Sequence, residues 1–251
     1  MKARSALLVV LAFFGLAAAA LAASRFDRVK PFEFDPERTF LVQAEWLTGI
    51  GCPTNARVRL FNPSPPFELL PPSTFTDTGC PTGDSRDRRN TGLLLAKTGP
   101  TLNNAAAGAE LKNVKGITLT ELGYDLRKAP FGGVDDSHCG AGAPRFNVTT
   151  EANTTHFIGC ASPPPTIAST GPGWSRLRWT PAQAFPPIPP GAKVKQILII
   201  FDEGQDAAGG PDSFGLAVLD NIDVNGTLVG QGSDGDDRGD DHEKGDRGDD
   251  N

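Results

Sequence analysis

Apolar residues in this chain alternate with polar ones over short stretches, and sustained 3.6-residue periodicity is hard to find. In Arg145-Phe-Asn-Val-Thr149, Phe146 and Val148 face inward while Arg145, Asn147 and Thr149 face outward. Arg176-Leu-Arg-Trp179 likewise sends Leu177 and Trp179 to a core and Arg176 and Arg178 to the outside. Alternation of this kind marks sheets buried on one face. Ile197-Leu-Ile-Ile-Phe201 is apolar at every position and predicts a central strand covered on both sides. Asn225-Gly226, between Ile222-Val224 and Thr227-Val229, is a two-residue hairpin signal. The other predicted strands are Thr39-Trp46, Ala56-Phe61, Gly92-Lys97, Gly116-Arg127, His156-Cys160 and Phe214-Val229, the last divided in two.

Between these runs lie proline clusters at 63–66, 71–72, 163–165 and 186–190, and 62–90 predicts one long elaborated loop. The 29 Gly and 22 Pro are too many for long helices, since each costs a helix interior about 1 and 3 kcal/mol respectively. About ten strands, one of them apolar on both faces, predict an all-β fold. The expected architecture is a two-sheet antiparallel β-sandwich of jelly-roll type with long Pro/Gly-rich loops. An immunoglobulin-like sandwich is the alternative.

Two segments stand outside that body. Lys2 and Arg4 precede an apolar run, Leu7 to Leu16, and a small-residue stretch ending Ala20-Leu21-Ala22. That pattern predicts a signal peptide over 1–23 and hence a secreted protein, extracellular or periplasmic. Its apolar core is short of the ~20 residues a spanning helix needs, so no membrane insertion is expected after cleavage. The last stretch, 233–251, has no apolar side chain and carries nine acids against three bases. It predicts a disordered acidic tail, because nothing in it offsets the entropy of ordering. The single domain is therefore expected over 24–232. The formal charge of -6 resides in the tail; a near-balanced body argues against nucleic acid as a partner.

Four cysteines in an exported chain predict two disulfides. Gly-Cys-Pro-Thr occurs twice, at Cys52 and Cys80, while Cys139 and Cys160 bracket a predicted hairpin. The expected pairs are Cys52–Cys80 and Cys139–Cys160, each closing some 20 to 30 residues and contributing about 3 kcal/mol. No C-x-x-C spacing suggests a metal or redox centre instead.

Four places hold candidate chemistry. Asp202, Glu203, Asp206 and Asp212 lie in one Gly-rich acidic loop that could offer a structural Ca2+ its oxygens, with Asp220 as a further ligand. Arg145, Asn147, Thr149, Arg176 and Arg178, with Tyr124, Trp46 or Trp174, are the residue types that bind sugars. Asp135-Asp136-Ser137-His138 and Gly83-Asp84-Ser85 contain nucleophile-like residues without the elbow or spacing of a triad. Glu45, Glu110 and Glu121 are unplaced carboxylates. The tail holds Arg238-Gly239-Asp240 and Arg247-Gly248-Asp249, both readily produced by its composition. Asn147, Asn153 and Asn225 begin N-glycosylation sequons.

Phe214-Gly-Leu-Ala-Val-Leu-Asp-Asn-Ile-Asp-Val224 resembles the closing strand of galactose-binding-like and carbohydrate-binding jelly-roll modules. The resemblance implies that Asp220 helps hold a structural calcium against the opening strand. The rest of the chain is similar to exported bacterial proteins and implies no activity. The function expected from all this is a secreted, non-catalytic binding module for a glycan or other extracellular polymer. A structural surface or matrix protein is the alternative, and a secreted hydrolase the third.

Overall fold

The computed structural model describes residues 26–58, 64–66, 68, 71, 73–99, 101, 105–128, 143–171, 173–202 and 215–231. The predicted leader, the acidic tail, Cys139, the 135–138 cluster and Glu203, Asp206 and Asp212 lie outside them. Among the described residues, no helix is long and apolar enough to cross a membrane.

Two antiparallel sheets face one another, as the alternation predicts. The strands are β1 (Val29–Phe34), β2 (Val42–Thr48), β3 (Ala56–Val58), β4 (Ser73–Phe75), β5 (Thr91–Lys97), β6 (Ala106–Leu111) and β7 (Leu122–Lys128). They continue as β8 (Arg145–Thr150), β9 (Thr155–Gly159), β10 (Thr166–Gly171), β11 (Trp174–Trp179), β12 (Val194–Phe201), β13 (Gly215–Val224) and β14 (Thr227–Val229). The five-stranded sheet runs β1-β6-β12-β8-β9; the seven-stranded sheet runs β10-β11-β7-β13-β5-β2, with β14 on β13.

The core fills the space between them. Ala107, Ala109, Phe146, Val148, Ile158, Ile197, Ile199 and Phe201 from one sheet meet Leu93, Leu95, Tyr124, Leu177, Trp179, Ala217 and Leu219 from the other. At its centre Tyr124 and Trp179 stack edge to face at 5.2 Å, with Phe146 5.4 Å from Tyr124. The Tyr124 hydroxyl is satisfied by donating to Pro144 O at 2.7 Å. A buried tyrosine needs such a partner.

Several predicted strands recur at nearly their expected bounds, and the hairpin at Asn225-Gly226 has both central residues at positive φ (55° and 82°), as a type I′ turn demands. Three differences have physical causes. β1 was not expected because it holds Pro31, which is tolerated here because β1 is an edge strand paired only with β6. β6 was not expected because Ala-Ala-Gly-Ala carries no β-branched or aromatic residue; small side chains suit a strand over which others lie. β12 is central, but only its inner face is fully covered: Ile197 and Ile199 are buried, whereas Leu198 and Ile200 are half-buried on the outside.

Within the strand expected over 56–61 lies β3, and it pairs with β4, which falls inside the loop expected over 62–90. The flanking arms 49–55 and 76–90 are joined by the Cys52–Cys80 disulfide and form a strap rather than a free excursion. The strap lies across the outer face of the seven-stranded sheet. There Cys52, Cys80, Trp174 and Val218 make a second, smaller apolar cluster. Cys160 is also disulfide-bonded.

Candidate functional site

The two outer faces have opposite characters. On the five-stranded sheet, cross-strand register places Phe32, Gly108, Ile200, Arg145 and Gly159 in one row. The next row is Lys30, Glu110, Leu198, Asn147 and Phe157, and Gln196, Thr149 and Thr155 follow. Phe185 pairs with Phe157 through an isolated bridge and extends the second row. A Cβ on Gly108 would sit 2.5 Å from Phe32 Cζ and 2.9 Å from its Cε1. The Phe32 ring therefore reaches over Gly108, in space that any other residue would fill. Phe34, Phe157 and Phe185 are 50%, 40% and 76% exposed. With strands about 4.8 Å apart, the face from β1 to β9 is roughly 19 Å wide.

Polar groups on this face are partly held in place. Arg145 donates from both terminal nitrogens to the two carboxylate oxygens of Asp202, each at 2.6 Å. Glu110 pairs with Lys112, whose hydrogen bond is the main reason its carboxyl is held below the usual range. Thr149 and Thr155 share a hydroxyl–hydroxyl bond of 3.2 Å.

On the seven-stranded sheet the outer face carries a group of buried charges beside the apolar cluster of the strap. The register between β13 and β7 slips between Asp220 and Asp223, and Asn221 takes a positive φ of 46°. This β-bulge turns two consecutive side chains, Asp220 and Asn221, toward the strap, leaving Leu219 and Ile222 in the core. Arg176 on β11 grips Asp125 on β7 in a fork, Nε to Oδ1 at 2.8 Å and a terminal nitrogen to Oδ2 at 2.6 Å. It also donates to the Thr82 hydroxyl and carbonyl in the strap. Arg178 meets Asp223 at 2.9 Å. Asn221 Nδ2 donates to Asp125 at 2.8 Å, and its Oδ1 accepts from Asp84 N at 2.9 Å.

Asp220 is 1% exposed. Its carboxyl accepts from Cys52 N at 2.7 Å and from Asn221 N at 2.6 Å. Burial pushes this carboxyl well above the usual range, and nearby Asp87 and Asp125 push it further, against the pull of the two amides. Asp223 is also raised, mainly by burial and against the attraction of Arg178. A cleft of about 790 Å³ opens above this floor, lined by Thr54, Asp84, Ser85, Asp87, Asp220 and Asn221 among others.

The residues expected to bind sugar are not brought together. Arg145, Asn147 and Thr149 stand on the outer face of the five-stranded sheet. Arg176 and Arg178 stand on the far side of the sandwich, both spent on carboxylates, and Arg176 is also tied to Thr82 of the strap. Alternation gave the correct parity but could not show that one of the two faces is covered. The candidate aromatics are also occupied: Tyr124 is in the core, Trp174 is buried beside the disulfide, and Trp46 is half-buried with its indole N–H on Val29 O. Sequence reasoning did not select Phe32, Phe157 and Phe185; in the sequence they sit among prolines or in short strands, and only strand order aligns them.

The expected calcium ligands are divided in the same way. Asp202 follows β12 and is engaged by Arg145 on one outer face; Asp220 lies on the opposite face. Asp220 offers a carboxyl that already accepts two amides and is biased toward its neutral form, a poor match to a hard cation that binds charged oxygens. Among the described residues, Cys52, Cys80 and Asp125 bring potential ligand atoms within 4.8 Å of one another, but both sulfurs are committed to the disulfide.

The carboxylates of the cleft are committed too. Asp84 accepts from Arg86 and from Gly230 N, and Asp87 accepts from Arg89 N and Thr91 N. With Asp220, every one of these carboxylate oxygens already takes a protein donor.

No family model matches the chain, and no curated protein matches it. One solved structure does. It is a β-1,2-glucanase from Parabacteroides distasonis, with a TM-score of 0.37 and 13% identity over 79% of this chain. The chain spans 24% of that glucanase.

Proposed function

We propose that this protein is an exported, non-catalytic binding module that docks a glycan or another extracellular polymer on the outer face of its five-stranded sheet. The observation that carries this is the uncovered apolar centre of that face. Leu198 and Ile200 are half-buried on a central strand, the half-buried Phe32 lies in the row of Ile200, and the exposed Phe34, Phe157 and Phe185 stand on the same face. Exposed apolar surface bordered by polar groups marks an interaction site more often than an isolated exposed side chain does. Asn147, Thr149 and Gln196 supply hydrogen-bonding groups beside the rings, the combination that sugar faces and hydroxyls require. A broad, open sheet face suits an extended polymer better than a small ligand, which is held in a concave pocket.

The test is retention of residues 24–232 on a panel of insoluble and soluble polysaccharides. Wild type should be retained by at least one. Phe157→Ala and Phe32→Ala should each weaken that retention about tenfold, the effect of losing roughly 1.5 kcal/mol of apolar contact. Failure of wild type to bind any polymer would refute the proposal.

A further inference from the structure

The buried charges under the strap do not balance. Asp125 and Asp223 answer Arg176 and Arg178 one for one. Asp220 is a third carboxyl with no cation of its own, and it is almost fully buried. What holds it is the strap: Cys52 N donates to Oδ2 at 2.7 Å. The fit leaves no spare room. A Cβ on Gly51 would lie 2.8 Å from Asp220 Oδ2 and 2.2 Å from Thr91 O, and one on Gly230 would lie 2.6 Å from Asp220 Oδ1. Two glycine backbones thus close over the carboxyl and keep it from water. Beside it, Asp84 N on Asn221 Oδ1 is another tie between the strap and the bulge.

We propose that the strap is a pH-sensitive latch over the outer face of the seven-stranded sheet, closed while Asp220 holds a proton and released when that proton leaves. The ionised carboxylate would be a buried, unpaired charge. The charges acting on it are Asp125 from β7, Arg176 from β11 and Asp87 from the strap; around them, Arg178 pairs with Asp125 and Asp223, and Arg86 with Asp84. The Arg176 charge attracts a charge on Asp220 from a distance, but its hydrogen-bonding fork is committed to Asp125, Arg178 is committed to Asp223, and Arg86 to Asp84. Asp87 and Asp125 repel a charge on Asp220. Lifting the 49–55 arm is the smallest motion that hydrates the carboxylate, and the cleft beside it already admits solvent. The closed form holds its Asp220 proton more tightly than the open form does. Closure is therefore favoured below the ordinary carboxylate range and weakens as pH rises through the closed-state value. The latch is independent of the polymer face, which lies on the other side of the sandwich.

Amide hydrogen exchange on the full chain, corrected for the intrinsic pH dependence of the chemistry, reads the latch directly. The opening equilibrium at the Cys52 and Asp84 amides should rise roughly tenfold per pH unit within that window. The amides of Ile197 and Ile199 in the core should not change. Asp220→Asn, neutral at every pH, should remove the slope at Cys52 and Asp84. Asp87→Asn, which removes a repelling charge without touching the floor, should bring the window to an end at lower pH. Strap amides whose opening is flat with pH in the wild type would overturn the proposal whether or not Asp220→Asn folds, and so would a slope that persists in Asp220→Asn.

Discussion

Arg176 and Arg178 alternate with Leu177 and Trp179 as the polar residues of a half-buried strand should, yet both guanidiniums are buried on carboxylates and Arg176 is held by the strap as well. Alternation reports which face a side chain takes; it is silent on what covers that face. The covering decides the energetics here. Asp125 is fully buried and serves Arg176 through two bonds and Asn221 through a third. Asp125→Ala should therefore lower the unfolding free energy by about 3–5 kcal/mol, because it strands a buried guanidinium. Urea titration measures this directly, and a loss no larger than that of an exposed ion pair would refute the buried-pair account. Asp84 makes a different, pH-dependent contribution. Burial raises its carboxyl, but the Arg86 side chain, the Arg86 and Gly230 amides and the Arg86 charge together bring it below the usual value of 3.8. A carboxyl lowered by folding stabilises fully above its unfolded value and loses that contribution as pH falls through its folded value. Asp84→Asn should thus reduce the melting temperature near neutrality and converge with wild type in strong acid. A constant gap at all pH values would rule out the titration.

At the scale of elements, the chain announces its strands unevenly. The β13–β14 hairpin is plain in Asn225-Gly226, and the structure adds why the Asn matters beyond its φ. Its Oδ1 accepts from Thr120 N, Thr120 Oγ1 and Glu121 N, and its Nδ2 donates to Thr118 O. Asn225→Ala should cost about 1–3 kcal/mol, since several polar groups lose a partner together, and a thermal melt in which it matches wild type would contradict this. β1 and β6 were illegible for the opposite reason. Pro31 and Ala106-Ala-Gly-Ala109 defeat strand propensity locally, and each makes sense only once its neighbours are placed. Gly108 is the instructive case, because its missing side chain is occupied by Phe32 from the adjacent strand. Gly108→Val should displace that ring and crowd Ile199 O, lowering the melting temperature and polymer retention together. Phe32→Ala should reduce retention with a smaller loss of stability. If both variants bind like wild type, Phe32 is not part of the docking face.

For the whole molecule, the two-sheet plan and the Cys52–Cys80 bridge were readable from alternation and cysteine placement, because both are local patterns with one consistent global solution. The assembly of a site was not readable. Five candidate binding residues on two strands divide between opposite faces because β8 and β11 belong to different sheets, a fact fixed by strand order and not by spacing. That division makes the faces separable by experiment. Replacing Cys52 and Cys80 by Ser removes a cross-link across a 28-residue separation, which should cost about 3 kcal/mol on loop entropy. The same change should loosen the strap over the buried charges. The polymer face, more than a sheet's thickness away, keeps its own strands, register and aromatic rings. The double serine variant should therefore melt earlier, yet at a temperature where it remains folded it should be retained on polymer as well as wild type. Phe157→Ala should show the reverse: an unchanged strap by hydrogen exchange and weakened retention. Loss of retention in the serine variant while its core amides stay protected would mean that the ligand sits under the strap, and would move the functional site to the cleft above Asp220.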